Sequence, residues 1–450
     1  MAEPVVVRVD FGQTNGLIRP LHGINKGPLG AGGLVDLTEQ HKSLRVPVAR
    51  LHDCHWPNPD VVDIHAVFPR SDADPEQPGS YDFRLTDEYI EAIVKSGAKT
   101  VYRLGESIEH TTQKRFVHPP KSAEQWAKIC AGVIRHYNEG WAKGFRHGIE
   151  YWEIWNEPEN RPAMWTGSDE EFLRLYEVAA TRIKREFPGL KVGGPGFGHL
   201  GEFKDGQLKP SGFVRKFLDL CRRERTPLDF FSWHCYAAQS AELTSRARAV
   251  RRMLDGYGLP RTESHLNEWN YLPGNSWSGL SRKSSPEERQ KFYDDMAGPR
   301  GAVFVTAALM QLQDAPVDMC NLFHGELGGF GLFNENGVPH KTFYALAAFA
   351  RMMDTPARVR ADAPAGVIAI AGTSAGTVAQ VLLSIPENGA AQIRLTVASL
   401  PWSASSTYQM YVVDPRHSLE LTQDGRLGPE NAIEFAVAQP SVILIRLVKS

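Results

Sequence analysis

Two asparagine–glutamate pairs are the residues of this chain whose types and spacing most directly suggest chemistry. Asn156 and Glu157 follow an apolar run at residues 149–154, and Asn267 and Glu268 follow a second run that begins at residue 263. Two carboxylates that face each other suit the hydrolysis of a glycosidic bond, because one can protonate the leaving oxygen while the other attacks or directs water. The sequence therefore predicts such a site, provided that both pairs lie at one end of the same fold.

A tryptophan accompanies each pair. Trp155 precedes Asn156, and Trp269 follows Glu268. Indole faces are natural platforms for the C–H surfaces of sugars, so both are predicted to bind substrate, with core packing as the alternative. Two mechanisms stay open here: carboxyl groups about 5 to 5.5 Å apart would allow direct attack with retention, and about 6.5 to 9.5 Å would admit a water and give inversion.

The elements that must position these residues are short apolar runs that alternate with stretches of helical period from about residue 20 to 350. Candidate strands lie at 21–24, 46–51, 99–104, 149–154, 191–194, 229–233, 263–267 and 318–323. Helices are predicted at 85–97, 122–138, 168–186, 211–224, 240–256 and 286–312. Eight strands without a GxGxxG turn after an early strand favour a (β/α)8 barrel over an open doubly wound sheet. In such a barrel, polar residues at the carboxyl ends of strands indicate function.

After about residue 355 the helical period stops and short alternating strands appear. They are predicted at 366–371, 377–383, 392–397 and 441–447, and residues 5–9 have the same pattern. Strands at this spacing, separated by turn-rich segments, indicate a small β-sandwich. The predicted domains are therefore a barrel at 15–352 and an accessory sandwich made of 1–14 and 353–450.

Composition excludes several partner classes. The formal net charge is −2, from 50 Lys+Arg against 52 Asp+Glu, with no long block of one sign. Nucleic acid and membranes are therefore not expected partners. The five cysteines form no CxxC pair and are expected to be mostly buried free thiols. No signal peptide is apparent at the start, so a cytoplasmic protein and one processed for export both stay open, as does a homo-oligomer.

The motifs around the two glutamates resemble a known family. WNEPE after the fourth predicted strand and NEW after the seventh are similar to the catalytic signatures of clan A glycoside hydrolases, and within that clan the chain most resembles family 39, which contains β-xylosidases and α-L-iduronidases. Further similar stretches lie at 50–52, 192–195, 232–236, 329–337 and 341–345. The resemblance covers about residues 20–350 and implies a barrel with a small β-sandwich beside it.

The resemblance also implies a retaining mechanism, with Glu157 as general acid/base and Glu268 as nucleophile. Glu157 would then have to carry a proton near neutral pH while Glu268 is ionised, an asymmetry that their surroundings must create. Asn156 would hydrogen-bond the sugar hydroxyl next to the anomeric carbon, a contact that strengthens in the transition state.

The resemblance assigns roles to further residues around this pair. His234 and Tyr236 match a family His-x-Tyr pattern and would hold the nucleophile or the sugar, while His52 matches a sugar-contacting histidine. Arg50 would orient a carboxylate from behind the site. At the eighth strand, where many members have a tryptophan and paired acids, this chain departs from the pattern, and Glu326 is the candidate sugar-binding acid against a plain loop carboxylate.

Two other classes of function compete with a glycosidase. Histidines near predicted strand ends suggest a metal hydrolase, but no HxH or HExxH pair occurs, so neither a metal nor another cofactor is predicted. A carbohydrate-binding protein without turnover is the second rival. The expected substrate is an oligosaccharide or glycoside. The activity expected first is that of a β-xylosidase, and α-L-arabinosidase, β-glucosidase, galactosidase and endo-acting activities stay open.

Overall fold

The computed structural model describes residues 3–374, 376–402, 405–428 and 430–449. Its α-helices are α1 Thr38–Ser43, α2 Ile64–Val67, α3 Arg84–Lys95, α4 Ala123–Glu139, α5 Asp169–Glu186, α6 Gly212–Arg223, α7 Ser240–Gly256, α8 Pro286–Ala297, α9 Pro299–Gln311 and α10 Lys341–Arg351. Its first thirteen strands are β1 Val5–Leu17, β2 Gly23–Asn25, β3 Leu29–Gly30, β4 Val35–Asp36, β5 Val48–Arg50, β6 Lys99–Leu104, β7 Tyr151–Ile154, β8 Lys191–Phe197, β9 Gly201–Lys204, β10 Gln207–Pro210, β11 Phe230–Ala237, β12 Glu263–Tyr271 and β13 Met319–Leu322. The remaining strands are β14 Ala357–Asp362, β15 Ile368–Ser374, β16 Val378–Ile385, β17 Gln392–Ala398, β18 Ser406–Val413, β19 Ser418–Arg426, β20 Ala432–Ala436 and β21 Ser441–Lys449.

Eight parallel strands close into a barrel. Their order around the ring is β2, β5, β6, β7, β8, β11, β12 and β13, which is also their order along the chain. Each overlaps one of the eight predicted strands, so the predicted (β/α)8 barrel is confirmed. Strand β7 is the fourth in the ring and β12 the seventh. Because the strands are parallel, the residues at their carboxyl ends meet at one mouth of the barrel.

The barrel helices follow the predicted periods, with one correction. Ser168 caps α5 and forms a capping box with Glu171. The single helix expected at 286–312 is instead two helices, α8 and α9, that meet at Gly298. Pro299 accounts for the break, because proline lacks the N–H that a helix interior needs but is favoured in the first turn of a new helix.

Nine of the other strands form one mixed sheet in the order β19, β18, β21, β16, β15, β14, β1, β17 and β20, while β3 pairs with β4 and β9 with β10 in two-stranded sheets. Strand β1 joins it by pairing parallel to β17 and antiparallel to β14. Ile393 near one edge and Met410 near the other share a hydrophobic cluster, so the sheet curls over its own core. This confirms the accessory sandwich-like domain. Strands β14, β18, β19 and β20 were not predicted, and the domain boundaries at residues 15 and 352 stay a prediction.

Two observations complete the description of the fold. All five cysteines are buried free thiols, as the sequence predicted. Within the described ranges, no helix has the length and apolarity needed to cross a bilayer.

Candidate active site

A cleft of about 1010 Å³ lies at the mouth of the barrel, where the carboxyl ends of the strands meet. Six of the ten predicted site residues line it. Two come from the turn after β7, one follows β5, two lie on β11 and one lies on β12: Asn156, Glu157, His52, His234, Tyr236 and Glu268. The structure thus gathers into one cavity residues that are distant in sequence.

Glu268 is held from several sides. Arg50 Nη1 donates to its Oε1 at 2.9 Å, His52 Nε2 lies 3.0 Å from the same oxygen, and the Tyr236 hydroxyl donates to Oε2 at 2.9 Å. Burial favours the neutral acid, but nearby cationic side chains, His234 first, outweigh burial and hold the pKa of Glu268 well below its usual range. Glu268 is therefore an anion whose two oxygens are fixed in direction.

A local irregularity in β12 explains how Glu268 reaches the cleft. Its pairing register with β13 shifts between Leu266 and Trp269. In a regular strand, successive side chains point to opposite faces, whereas an irregularity can turn two consecutive residues to one side. Asn267 bonds a glutamate inside the barrel while Glu268 faces the cleft. Both residues of the asparagine–glutamate pair thus have a place in the site, Asn267 inside the barrel and Glu268 in the cleft.

Glu157 has fewer and weaker partners than Glu268. His234 Nδ1 lies 2.8 Å from its Oε1, and Asn160 Nδ2 donates to its Oε2 at 3.0 Å. The Glu157 side chain is 20% exposed, against 5% for Glu268. Its backbone has a φ of 44°, a left-handed conformation that is uncommon outside glycine and concentrates at functional sites. The two glutamates therefore occupy different environments in one cavity.

Glycines beside β8 make room for these polar groups. A Cβ added at Gly198 would lie 2.2 Å from Glu157 Oε1, and one added at Gly196, which has a φ of +63°, would lie 2.8 Å from Asn156 Oδ1. Both distances are shorter than van der Waals contact. The segment after β8 thus has to be glycine-rich for the turn after β7 to present its side chains.

A buried network supports the site from below. Arg50 donates from Nε to Glu153 Oε2 and from Nη2 to Asn156 Oδ1, each at 2.6 Å. The other oxygen of Glu153 accepts from Ser232 Oγ and Asn267 Nδ2, also at 2.6 Å. Sequence reasoning missed Glu153, although an acid within the otherwise apolar β7 was a usable signal. Arg50 itself lies behind the cleft, where the sequence placed it.

Replacing Glu153 by glutamine is expected to lower the free energy of unfolding by about 3–5 kcal/mol, because it takes from the buried Arg50 charge the nearer of its two carboxylate partners. The new amide would also place an N–H against groups that now donate. Urea denaturation measures the change. Glu150→Gln is the matched control, because Glu150 forms a 3.3 Å pair with Lys191 at a more exposed site and should cost at most about 1 kcal/mol. Equal effects of the two substitutions would contradict the role of this network.

The two predicted tryptophan platforms are not in the cleft. Trp155 and Trp269 are 1% and 0% exposed and pack in the core, and Trp155 Nε1 donates to the carbonyl of Met164 at 2.8 Å. For Trp269 the reason is the alternation of side chains along β12, which directs the neighbour of the inward-facing Glu268 outward. Trp277, which is 47% exposed, lines the cleft instead and meets Tyr236 edge to face.

Glu326 lies behind the wall of the cleft. Its Oε1 accepts from the backbone N–H of His55 at 2.8 Å, and its Oε2 is 3.6 Å from Lys26 Nζ. Burial raises the pKa of Glu326 to about 7. The cleft at this point is bordered by Lys26, Asp53 and Phe323, which sequence reasoning did not select because no motif marks them.

Two triplets bring donor atoms within 4.8 Å of one another, close enough to share a metal ion: Glu157, His234 and Glu268, and Asp63, His65 and Glu106. In the first, His234 already contacts both carboxylates. In the second, Asp63 accepts hydrogen bonds from Arg103 and Ser107. Both sets have protein partners for their donors, so their geometry is explained without an ion.

Comparison with known proteins finds a matching family for part of the barrel. Residues 50–263, which include both the arginine–histidine segment and the WNEPE motif, match the sequence model described as Glycosyl hydrolases family 39. Over these residues the chain is similar to family 39 of the glycosyl hydrolases. The family recognised from the two glutamate motifs is thus confirmed.

Proteins similar to this chain include two named β-xylosidases. The protein from Caldicellulosiruptor saccharolyticus is 27% identical over 296 residues, which cover 59% of this chain and 56% of that protein. The protein from Geobacillus stearothermophilus is 24% identical over 329 residues, covering 65% of this chain and 61% of that one. The chain therefore spans less than two thirds of the length of these relatives.

A solved structure matches over the whole chain. It is a glucosidase from Croceicoccus marinus, with a TM-score of 0.83, 23% identity and full coverage of both chains. At this identity the match establishes a shared fold, including the accessory sheet.

Proposed function

We propose that this family 39 protein is a retaining glycoside hydrolase that releases a terminal sugar by double displacement. The observation that supports this best is the spacing of Glu157 and Glu268, whose nearest carboxylate oxygens lie within 4.8 Å of each other. That spacing suits direct attack, for which carboxyl groups about 5 to 5.5 Å apart are typical, better than the wider gap that inversion needs.

In the first step, an oxygen of Glu268 would form a bond to the anomeric carbon while the bond to the leaving oxygen breaks. Glu157 would donate its proton to that oxygen. The Arg50, His52 and Tyr236 contacts keep Glu268 ionised and aimed. In the second step, Glu157 would accept a proton from water, and the water oxygen would replace Glu268 on the anomeric carbon.

Asn156 would stabilise the transition state. Its Oδ1 accepts from Arg50 Nη2 at 2.6 Å, which orients the amide. The Nδ2 group is then left to donate to the sugar hydroxyl beside the anomeric carbon, where the hydrogen bond strengthens as positive charge develops on the ring.

A β-xyloside is the substrate proposed first, because the two curated relatives are named β-xylosidases. A β-glucoside is the second candidate, because the whole-length structural match is named a glucosidase. The cleft volume of about 1010 Å³ leaves room for more than the terminal sugar alone.

The test is hydrolysis of a panel of 4-nitrophenyl glycosides, followed by proton NMR of the first sugar released. We expect cleavage of the β-xyloside or β-glucoside and early appearance of the β-anomer, because two displacements at one carbon restore its configuration. Early appearance of the α-anomer would exclude Glu268 as nucleophile. If no member of the panel were cleaved, an endo-acting enzyme or a binding protein would be the better reading.

A further inference from the structure

A lysine ammonium on the wall of the cleft has no carboxylate within hydrogen-bond length in the described part of the chain. Lys26 directly follows β2 and is only 4% exposed, yet its side chain lines the cavity. Its nearest carboxylate oxygens are Glu326 Oε2 at 3.6 Å and Asp53 Oδ2 at 3.8 Å, both beyond normal hydrogen-bond length. The backbone of Lys26 has a φ of 69°, which is unfavourable for a lysine. A buried charge in this state is costly unless a further group binds it.

Asp53 presents a matching acceptor beside Lys26. Its Oδ1 is bonded to His52 Nδ1, whereas its Oδ2 has no hydrogen bond in the described part of the chain. Burial raises the pKa of Asp53, but the charges of His52 and Lys26 outweigh burial and hold this pKa well below its usual range. A carboxylate oxygen and an ammonium group thus face the same space, about 1 Å farther apart than in a closed ion pair.

The position of this pair in the barrel assigns it to one half of the cleft. Lys26 and Asp53 follow the first and second strands of the ring, and Phe323 follows the eighth. Asn160, which bonds Glu157, and His199, which bonds Glu159, follow the fourth and fifth strands on the opposite side. Because Glu157 would protonate the leaving oxygen, the leaving group lies on its side. The Lys26 side therefore receives the sugar that is transferred.

His52 connects this pair to the nucleophile. Its Nε2 lies 3.0 Å from Glu268 Oε1, and its Nδ1 bonds Asp53. Asp53 of the Lys26–Asp53 pair thus contacts the same imidazole ring that contacts the attacking carboxylate of Glu268. A sugar with its anomeric carbon at Glu268 would extend its far hydroxyl groups toward this pair.

We propose that Lys26 and Asp53 together bind adjacent hydroxyl groups at the end of the transferred sugar farthest from the scissile bond, and so select a neutral sugar that is unsubstituted there. This inference rests on the proposed function. A hydroxyl can donate to Asp53 while its neighbour accepts from Lys26, which satisfies both groups. A sugar carboxylate would meet Lys26 but would be repelled by Asp53. A chain extended at these hydroxyls would not fit, which implies release of end residues.

The experiment compares the preferred aryl glycoside with its 3-deoxy and 4-deoxy analogues, in wild type, Lys26→Met and the surface control Lys42→Met. In wild type, loss of a recognised hydroxyl is expected to lower kcat/KM about 10- to 100-fold. The kcat/KM of Lys26→Met on the parent glycoside should be lower by a similar factor. Removing the recognised hydroxyl from the substrate should then lower the kcat/KM of this variant only a little further. Lys42 is exposed and pairs with the exposed Glu39 one helical turn away, so Lys42→Met should behave as wild type.

Three results would overturn the inference. One is equal activity of wild type on the parent and both analogues, which needs no variant and so decides the matter even if Lys26→Met fails to fold. Another is an equal loss on all three substrates in Lys26→Met, which would indicate a structural role. The third is a preference of wild type for an aryl glucuronide over the glucoside. If wild type cleaved no aryl glycoside, the proposed function would fail first and this inference with it.

Discussion

Replacing Glu268 by alanine is expected to lower kcat on a 4-nitrophenyl glycoside by about 10⁴- to 10⁶-fold, and sodium azide is expected to restore part of it. The substitution removes the attacking oxygen and leaves space at the same face of the sugar. Azide can enter that space and attack the anomeric carbon once, so the rescued product is a glycosyl azide of inverted configuration. Release of nitrophenolate is followed by its absorbance at about 405 nm, and NMR identifies the azide product, so the two measurements cover both effects.

The controls for this experiment come from the contacts of Glu268. Removing its carboxylate leaves His52 Nε2 and the Tyr236 hydroxyl without their partner, although Arg50 keeps its bond to Glu153. Thermal unfolding of the variant shows whether lost activity reflects lost structure. An exposed acid elsewhere on the same face, Glu202, provides the matched alanine variant, which should retain full activity. Wild-type activity in Glu268→Ala, or rescue with retained configuration, would contradict the nucleophile assignment.

The barrel and the meeting of the two glutamates follow from sequence for one physical reason. Parallel strands place their carboxyl ends at one mouth, so Glu157 and Glu268 need only follow two such strands to share a cleft. The number of residues between Glu157 and Glu268 in the sequence does not matter once the strand order is fixed. This inference needs the pattern of strands alone.

The sequence did not predict the direction in which individual side chains point, even where it predicted the position of the residue in the fold. Trp155 and Trp269 flank the glutamates but point into the core, while Trp277, from a loop with no strand pattern, reaches the cleft. A shift of one residue reverses the face of a strand side chain, and a register irregularity like that in β12 changes it again. Side-chain roles therefore need the pairing register, which composition and periodicity do not contain.

Buried polar groups form the second class that sequence did not identify. Neither Glu153 nor Lys26 belongs to a sequence motif. The role of each depends on contacts with residues from other strands that only the folded barrel brings near. Strands β19 and β20 were missed for a related reason. They lie at the two edges of the accessory sheet: β19 has one buried residue among its nine, and β20 is only five residues long.

Replacing Glu157 by glutamine is expected to produce a loss that depends on the leaving group. For an unactivated leaving group, such as the second sugar of a disaccharide, kcat/KM should fall by about 10²- to 10⁴-fold, because the departing oxygen no longer receives a proton. For a 2,4-dinitrophenyl glycoside the loss should be much smaller, since dinitrophenolate leaves without help. The second step should slow for both, because Glu157 would also activate the water, so a glycosyl-enzyme should accumulate and give a burst of dinitrophenolate.

Glu159→Gln supplies the matched control for this prediction. Glu159 lies two residues from Glu157, lines the same cleft and is also a carboxyl group, but its Oε1 accepts from the backbone N–H of His199 at 2.7 Å. Burial, with the nearby Glu157 charge second, raises the pKa of Glu159 to about 7. Its loss can alter the charge around Glu157, but it should lower activity on all leaving groups alike. If Glu157→Gln also lost activity equally on both substrates and showed no burst, the proton donor would have to be sought elsewhere, and the contact between His234 and Glu157 would be the place to begin.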